Sequence, residues 1–228
     1  MKVVYEDNHI IIVSKASGEI VQGDKTGDTP LSDVVKAYLK EKYQKPGEVF
    51  LGVVHRLDRP VSGLVAFART SKALSRLNRM FAEGEVHKTY WAIVARQAQE
   101  ADGEWHTLTH WLVRNEKQNK SYAYDAEKPN SKKAILKYRV IGHSDRYSLV
   151  EVQLLTGRHH QIRCQLAKVG MTIKGDLKYG APRSNPDGSI SLLSRRMEFI
   201  HPVSKATIIA EADVPADNLW QALEHQQQ

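Results

Sequence analysis

The sequence predicts a domain in which helices and strands are mixed, the α+β class, on three observations. Short apolar or β-branched runs recur between turn residues, as at Val3–Tyr5, Ile10–Val13, Leu64–Ala68 and His87–Val94. Helix-period stripes start at Leu31, Leu74 and Ile162. Several strand-like runs are joined by only four or five residues, as at Glu6–His9 and Gly142–Arg146, which suits hairpins.

The bulk properties fit such a domain. The chain has 228 residues, 41% hydrophobic and 26% charged, enough for a substantial core. Lys and Arg outnumber Asp and Glu by 33 to 26, and the pI is near 9.4. That balance favours a polyanionic partner such as RNA without identifying one. Cys164 is the single cysteine, so no disulfide framework or cysteine-based zinc site can be built, which fits a reducing compartment. Lys2, Glu6 and Asp7 interrupt any signal-peptide core, and no run approaches the roughly 20 apolar residues of a membrane span. A cytoplasmic protein with no membrane partner is expected.

In chain order, residues 3–13 read as a hairpin, and Lys15-Ala16-Ser17-Gly18 marks the next turn. Thr29-Pro30 reads as an N-cap followed by proline at the first helical position. Leu31, Val34, Val35, Tyr38 and Leu39 follow at helical spacing, and Pro46-Gly47 closes the segment. Apolar runs at 49–54 and 64–68 then bracket His55-Arg56-Leu57-Asp58-Arg59, with Ser62-Gly63 as a tight turn. A loop held at both ends by core strands fixes a carboxylate in space. The plain alternative is a surface turn whose Asp58 pairs with a neighbouring arginine.

Ser71 is expected to cap a second helix with the stripe Leu74, Leu77, Met80 and Phe81, ended by Gly84. His87–Val94 reads as a strand carrying Tyr90, either a half-buried strand aromatic or a stacking platform for a base. Residues 97–133 are polar. Arg114, Lys117, Lys120, Lys128, Lys132 and Lys133 make them locally basic, either a solvated excursion or a hairpin gripping RNA backbone. His106 and His110, with Asp102 and Glu104 nearby, have helical metal-ligand spacing, but the alternation around them is strand-like and disfavours a metal site. Residues 134–141 and 147–155 read as paired strands, and Ile162, Leu166 and Val169 as a helix stopped by Gly170. The tail 221–228 is expected to be disordered.

His55-Arg56-Leu57-Asp58 followed by Ser62-Gly63-Leu64 resembles the signature loop of the RluA-type RNA pseudouridine synthases. Lys88-Thr89-Tyr90, Gly157-Arg158-His159-His160-Gln161-Ile162-Arg163 and Gly175-Asp176-Leu177-Lys178-Tyr179-Gly180 match further blocks of that family, in order. Two departures stand out. Ala16 occupies the proline of the family's Lys-Pro-x-Gly, and Leu193-Ser194 replace the His-Ala of its Leu-His-Ala. The resemblance spans about residues 3–202. It implies the pseudouridine synthase fold, a mixed, largely antiparallel β-sheet flanked by helices and loops, as one catalytic domain over 1–228. Residues 190–194 and 199–202 resemble the family's two last strands. The core pattern begins with the first residues, so no small S4-like RNA-binding domain ahead of it is expected.

The implied reaction turns uridines of structured ribosomal or transfer RNA into pseudouridine, with the nucleotide flipped out of its stack. Nothing is consumed, so neither cofactor nor metal is expected, and a monomer is the simplest state. By the resemblance Asp58 is the essential carboxylate and Arg158 the cation that orients it. Arg56 fills the vacated space or steers the base, Tyr90 stacks on it, and Leu192 lines the pocket. His55 is expected to secure the loop by a hydrogen bond, and one of His159 and His160 to be a structural part of the helix start. Attack at C1′, addition to uracil and removal of the C2′ proton all need Asp58 ionised, and the sequence leaves the three open. A catalytically inactive RNA-binding protein on the same fold is the main rival. A glycosidase would need a second carboxylate, which neither signature supplies, and a metal-dependent nuclease would need clustered acids.

Overall fold

The computed structural model describes residues 1–97 and 103–227. They group into two compact units, Met1–His87 with Ser194–Ala212, and Lys88–Leu193 with Asp213–Gln228. The class is α+β with largely antiparallel pairing, as the sequence predicts.

In the first unit β1 (Lys2–Glu6) and β2 (Ile10–Lys15) form the expected hairpin. Ile10 to Val13 are buried to the last atom, because β2 is a central strand paired on its other edge with β4 (Ser62–Ala68). Such a strand reads as a continuous apolar run rather than an alternating one. The apolar run at 49–54 yields only a two-residue strand, β3 (Gly52–Val53), paired with the end of β4. Helix α1 (Leu31–Lys42) starts one residue later than its Thr-Pro signal suggests. Pro30 occupies the cap, and the main-chain N–H groups of Leu31 and Ser32 are taken by the carbonyls of Ile20 and Val21. Helix α2 (Ser71–Glu83) is capped by Thr70 rather than Ser71: Thr70 Oγ1 accepts from Ala73 N at 3.1 Å. Gly84 ends it in the left-handed conformation, φ +75°.

The two expected last strands are one, β10 (Leu192–Ile200), which pairs with β11 (Thr207–Glu211). Arg195, Arg196 and Glu198 broke the apolar pattern there, and the structure matches them with each other and with Glu211. Gly63 on β4 has φ +111°, and a Cβ on it would collide with the Ser194 carbonyl oxygen. The close approach of β4 to the residue that departs from the family's His-Ala therefore needs glycine at 63.

The second unit is an antiparallel meander in the order β5 (His87–Ala95), β9 (Tyr147–Leu154), β8 (Lys132–His143), β6 (His106–Asn115), β7 (Lys120–Tyr124). The polar stretch 97–133 thus contains a regular hairpin, β6–β7. Helix α3 (Gln161–Lys168) covers one face, with Cys164 packed on Leu112 and Ala134. The tail is not disordered over its described part. Asp217 caps α4 (Asn218–Glu224), accepting from Leu219 N and Trp220 N, and Trp220 and Leu223 are buried. Residues His225–Gln227 continue as a 3-10 turn whose glutamines bond to His143 and Ile141 of β8. No helix of the described residues is long and apolar enough to cross a membrane.

Candidate active site

In the first unit the loop carrying Asp58 is tied down from several sides. Lys15, at the end of β2, is only 1% exposed. Its Nζ donates to the carbonyls of Ala16 at 2.9 Å, Arg59 at 3.1 Å and Val61 at 2.7 Å. Burial pushes this ammonium down to about 8, against the nearby charges of Glu19 and Asp58, which favour its protonation. Gly18 N donates to the Arg59 carbonyl at 2.8 Å, and Ser17 Oγ to that of Pro60 at 3.3 Å. The 15–18 turn therefore grips the loop with alanine in the family's proline position.

On the other side of the loop, His55 Nε2 accepts from Ala66 N at 2.9 Å, and its ring stacks on Phe81 with centroids 4.8 Å apart. His55 is thus a clasp between the loop, β4 and α2, as expected. Val61 N closes the turn on the Asp58 carbonyl at 3.0 Å. Arg59 turns to Asp28 at 2.6 Å and Asp24 at 3.3 Å. Of the two arginines flanking Asp58 that the plain surface-turn reading offers, Arg59 is engaged with Asp28 and Asp24. Asp58 itself is partly exposed, and Arg56 is exposed.

In the second unit Tyr90 lies on β5, 6% exposed and opposite Val152 of β9. Leu192 is buried at the start of β10, and the neighbouring Ser191 carbonyl accepts from Ile93 N of β5 at 2.9 Å. Arg158 is exposed. Its Nε donates to the Lys133 carbonyl at 3.1 Å, and its main-chain N–H to Gln161 Oε1 at 3.0 Å. The structure groups Arg56 with Asp58 in one unit, and Tyr90, Arg158 and Leu192 in the other.

The second arginine of the same signature is the buried one. Arg163, 5% exposed, forms a two-pronged pair with Asp176, 1% exposed: Nε to Oδ2 at 2.7 Å and Nη2 to Oδ1 at 2.8 Å. Its Nη1 lies 3.0 Å from His160 Nε2, and its guanidinium sits 5.1 Å from the centre of the Tyr179 ring. His160 caps α3 in the left-handed conformation, φ +53°. Burial, then the Arg163 charge, push its imidazole down to about 2. A neutral ring taking Arg163's proton at Nε2 carries its own on Nδ1, and so donates to Tyr179 Oη at 2.9 Å.

That hydroxyl also accepts from Ser121 N at 2.8 Å. Ser121 Oγ donates to the His159 carbonyl at 2.9 Å, and Lys178 Nζ donates to the carbonyls of Gln118 and Asn119. The 157–160 loop, α3 and the tip of the β6–β7 hairpin are thereby one hydrogen-bonded body.

The structural roles of Lys15, Arg163, Asp176 and Tyr179 emerge only from the fold. The i, i+3 spacing of His160 and Arg163 at a helix start was the available signal for the second group. His106 and His110 lie on β6, where four residues of strand separate like-facing positions by about 13 Å. His106 stacks on Tyr138, and Gln165 Nε2 donates to His110 Nδ1 at 2.9 Å. Asp102 lies outside the described residues. Among the described residues no three of His, Cys, Asp and Glu cluster as metal ligands.

Residues 9–168 match the family model described as RNA pseudouridylate synthase. The chain is 29% identical over 230 residues to ribosomal large subunit pseudouridine synthase D of Zymomonas mobilis, covering 95% of this chain and 70% of that one. It is 27% identical to tRNA pseudouridine synthase C of Vibrio cholerae, covering 98% and 94% respectively. Among solved structures, human RNA pseudouridylate synthase domain containing 4 superposes with a TM-score of 0.76 at 21% identity, over 99% of this chain and 92% of that one. At that identity the likeness is one of fold.

Proposed function

The chain belongs to the RNA pseudouridylate synthase family, and from that premise we propose that it converts particular uridines of ribosomal or transfer RNA into pseudouridine. The observation that carries this reading is the setting of Asp58. It is a partly exposed carboxylate on a backbone held by a buried amine, a histidine clasp and an arginine that faces elsewhere. Rigid support of this kind is what a reacting group needs.

The C–N glycosidic bond breaks, the uracil turns, and C5 rejoins C1′. The bonds balance without a co-reactant, so we propose no metal and no cofactor. Asp58 acts ionised, whether by attack at C1′, by addition to uracil or by taking the C2′ proton. Reaching C1′ requires extruding the nucleotide, at a cost of a few kcal/mol. Arg56, exposed beside Asp58, is suited to the vacated stack, because a guanidinium both stacks and hydrogen-bonds. Tyr90 is assigned to stacking on the captured uracil and Leu192 to the apolar wall. Arg158 is assigned as the cation that faces the reacting carboxylate. Water must be kept out while the base is detached, or the base is lost to hydrolysis. We propose further that the protein works as a monomer in the cytoplasm.

The presence of Asp58, Arg158 and Tyr90 in the matching blocks supports turnover over passive RNA binding. The experiment is tritium release from ribosomal and transfer RNA transcripts labelled at uridine C5. Isomerisation exchanges the C5 hydrogen, so release into water is expected. Binding without release would leave an inactive RNA-binding protein, and free uracil would mark a hydrolase.

A further inference from the structure

We propose that the face of the β6–β7–β8 sheet left uncovered by the described residues is a docking platform for unpaired RNA. The inference rests on the RNA-modifying function above and names where the flanking, non-reacting RNA is held. In the register, Trp111 of β6 stands opposite both Tyr124 of β7 and Lys133 of β8, and Val113 stands opposite Tyr122. Residues opposite one another in an antiparallel pair share a face, so these side chains project together. The alternate residues, Leu112, Ala123 and Ala134, pack with Cys164 of α3 on the other face. Among the described residues the sheet is therefore covered once, and Tyr122 and Tyr124 remain 38% and 37% exposed.

An aromatic sheet face with no cover calls for a ligand, and the charges around it indicate which. Residues 111–139 carry eight Lys and Arg against three Asp and Glu, a surplus of five in a chain whose whole surplus is seven. Three of these lysines stand over the rings: Lys133 at 5.8 Å from Trp111, Lys128 at 5.9 Å from Tyr124, and Lys120 at 5.4 Å from Tyr122. Ring faces with ammonium groups beside them suit a chain of alternating bases and phosphates: bases stack on the rings and phosphates take the lysines. A protein partner fits less well, since lysine is depleted in protein interfaces. Paired RNA fits less well too, because A-form helices bury the base faces that stacking needs. The tip of the hairpin is hydrogen-bonded to the α3 signature through Ser121, His159, Tyr179 and Lys178. RNA lying on the platform is thus held at a fixed offset from that signature.

The test is fluorescence anisotropy of the full chain with a fluorescein-labelled twelve-nucleotide oligouridylate, with a blunt RNA duplex, and with phosphatidylserine vesicles. Tyr122→Ala/Tyr124→Ala should weaken oligouridylate binding tenfold or more at unchanged salt dependence. Lys128→Gln/Lys133→Gln should reduce the slope of log affinity against log salt by about 1.4, at roughly 0.7 per phosphate on a single strand. Tyr122→Phe/Tyr124→Phe should restore binding, which separates lost stacking from lost folding. Oligouridylate binding equal to wild type in both lysine and alanine variants would overturn the proposal. So would a loss confined to the duplex or to the vesicles. Absence of tritium release by the wild-type protein would remove the activity and leave this binding comparison standing. Unchanged binding by variants of an active enzyme would remove only the platform.

Discussion

Lys15 illustrates how a single residue supports the loop it never enters. Its ammonium is buried against three main-chain carbonyls, two of them just after Asp58. Lys15→Met strands those acceptors and should cost about 2–3 kcal/mol of stability, measured by urea unfolding at pH 7. The pH dependence has a definite sign. The folded amine titrates near 8 and the unfolded one near 10.5, so the unfolded chain binds more protons in between. Lys15's contribution is therefore complete above pH 10.5 and lost as pH falls through 8. Relative to Lys15→Met, wild type should gain stability between pH 8 and 10.5; a constant difference would contradict the buried charge. His160 behaves alike in acid. Folded it holds off protonation to about 2, while the unfolded imidazole protonates near 6.5. Its contribution is intact above 6.5 and falls away below, by about 2 kcal/mol between pH 7 and 5 at about 1.4 kcal/mol per pH unit. Urea midpoints of wild type and His160→Asn across that range should converge; parallel curves would contradict it.

The two arginines of one signature element have different tasks. Arg163 at the start of α3 pairs in a buried site with Asp176, whereas Arg158 in the preceding loop is exposed. Arg163→Ala leaves a buried carboxylate without that partner and should cost about 3–5 kcal/mol in urea unfolding. Arg158→Ala should cost under about 1 kcal/mol and yet lower tritium release. Equal stabilities for the two variants would contradict the division. This division was not legible in the sequence, because both arginines sit in the same motif and burial is decided by what α3 packs against. The hairpins, α2 and α3 were legible, since their periodicity and caps are local. The run at 49–54 misled because an apolar run packs equally well as irregular chain, and β10 was divided because its ion pairs form only across the sheet. The tail's helix was signalled by Asp217 ahead of Trp220 and Leu223, but its docking partner, β8, is remote in sequence.

At the scale of the whole molecule, a basic chain of the pseudouridine synthase fold carries the family's blocks in order across both compact units. The candidate acid, Asp58, was legible because a short motif holds it. Its scaffolding was legible only in part: the His55 clasp was expected, whereas Lys15 acts through contacts with distant backbone. The account rests on the Asp58 charge. The most direct measurement is tritium release by Asp58→Asn on C5-labelled RNA, with RNA affinity and urea unfolding taken on the same preparation. The variant keeps shape and loses charge, so release should be abolished while affinity and stability stay close to wild type. Near-normal release by a folded Asp58→Asn protein would contradict the account.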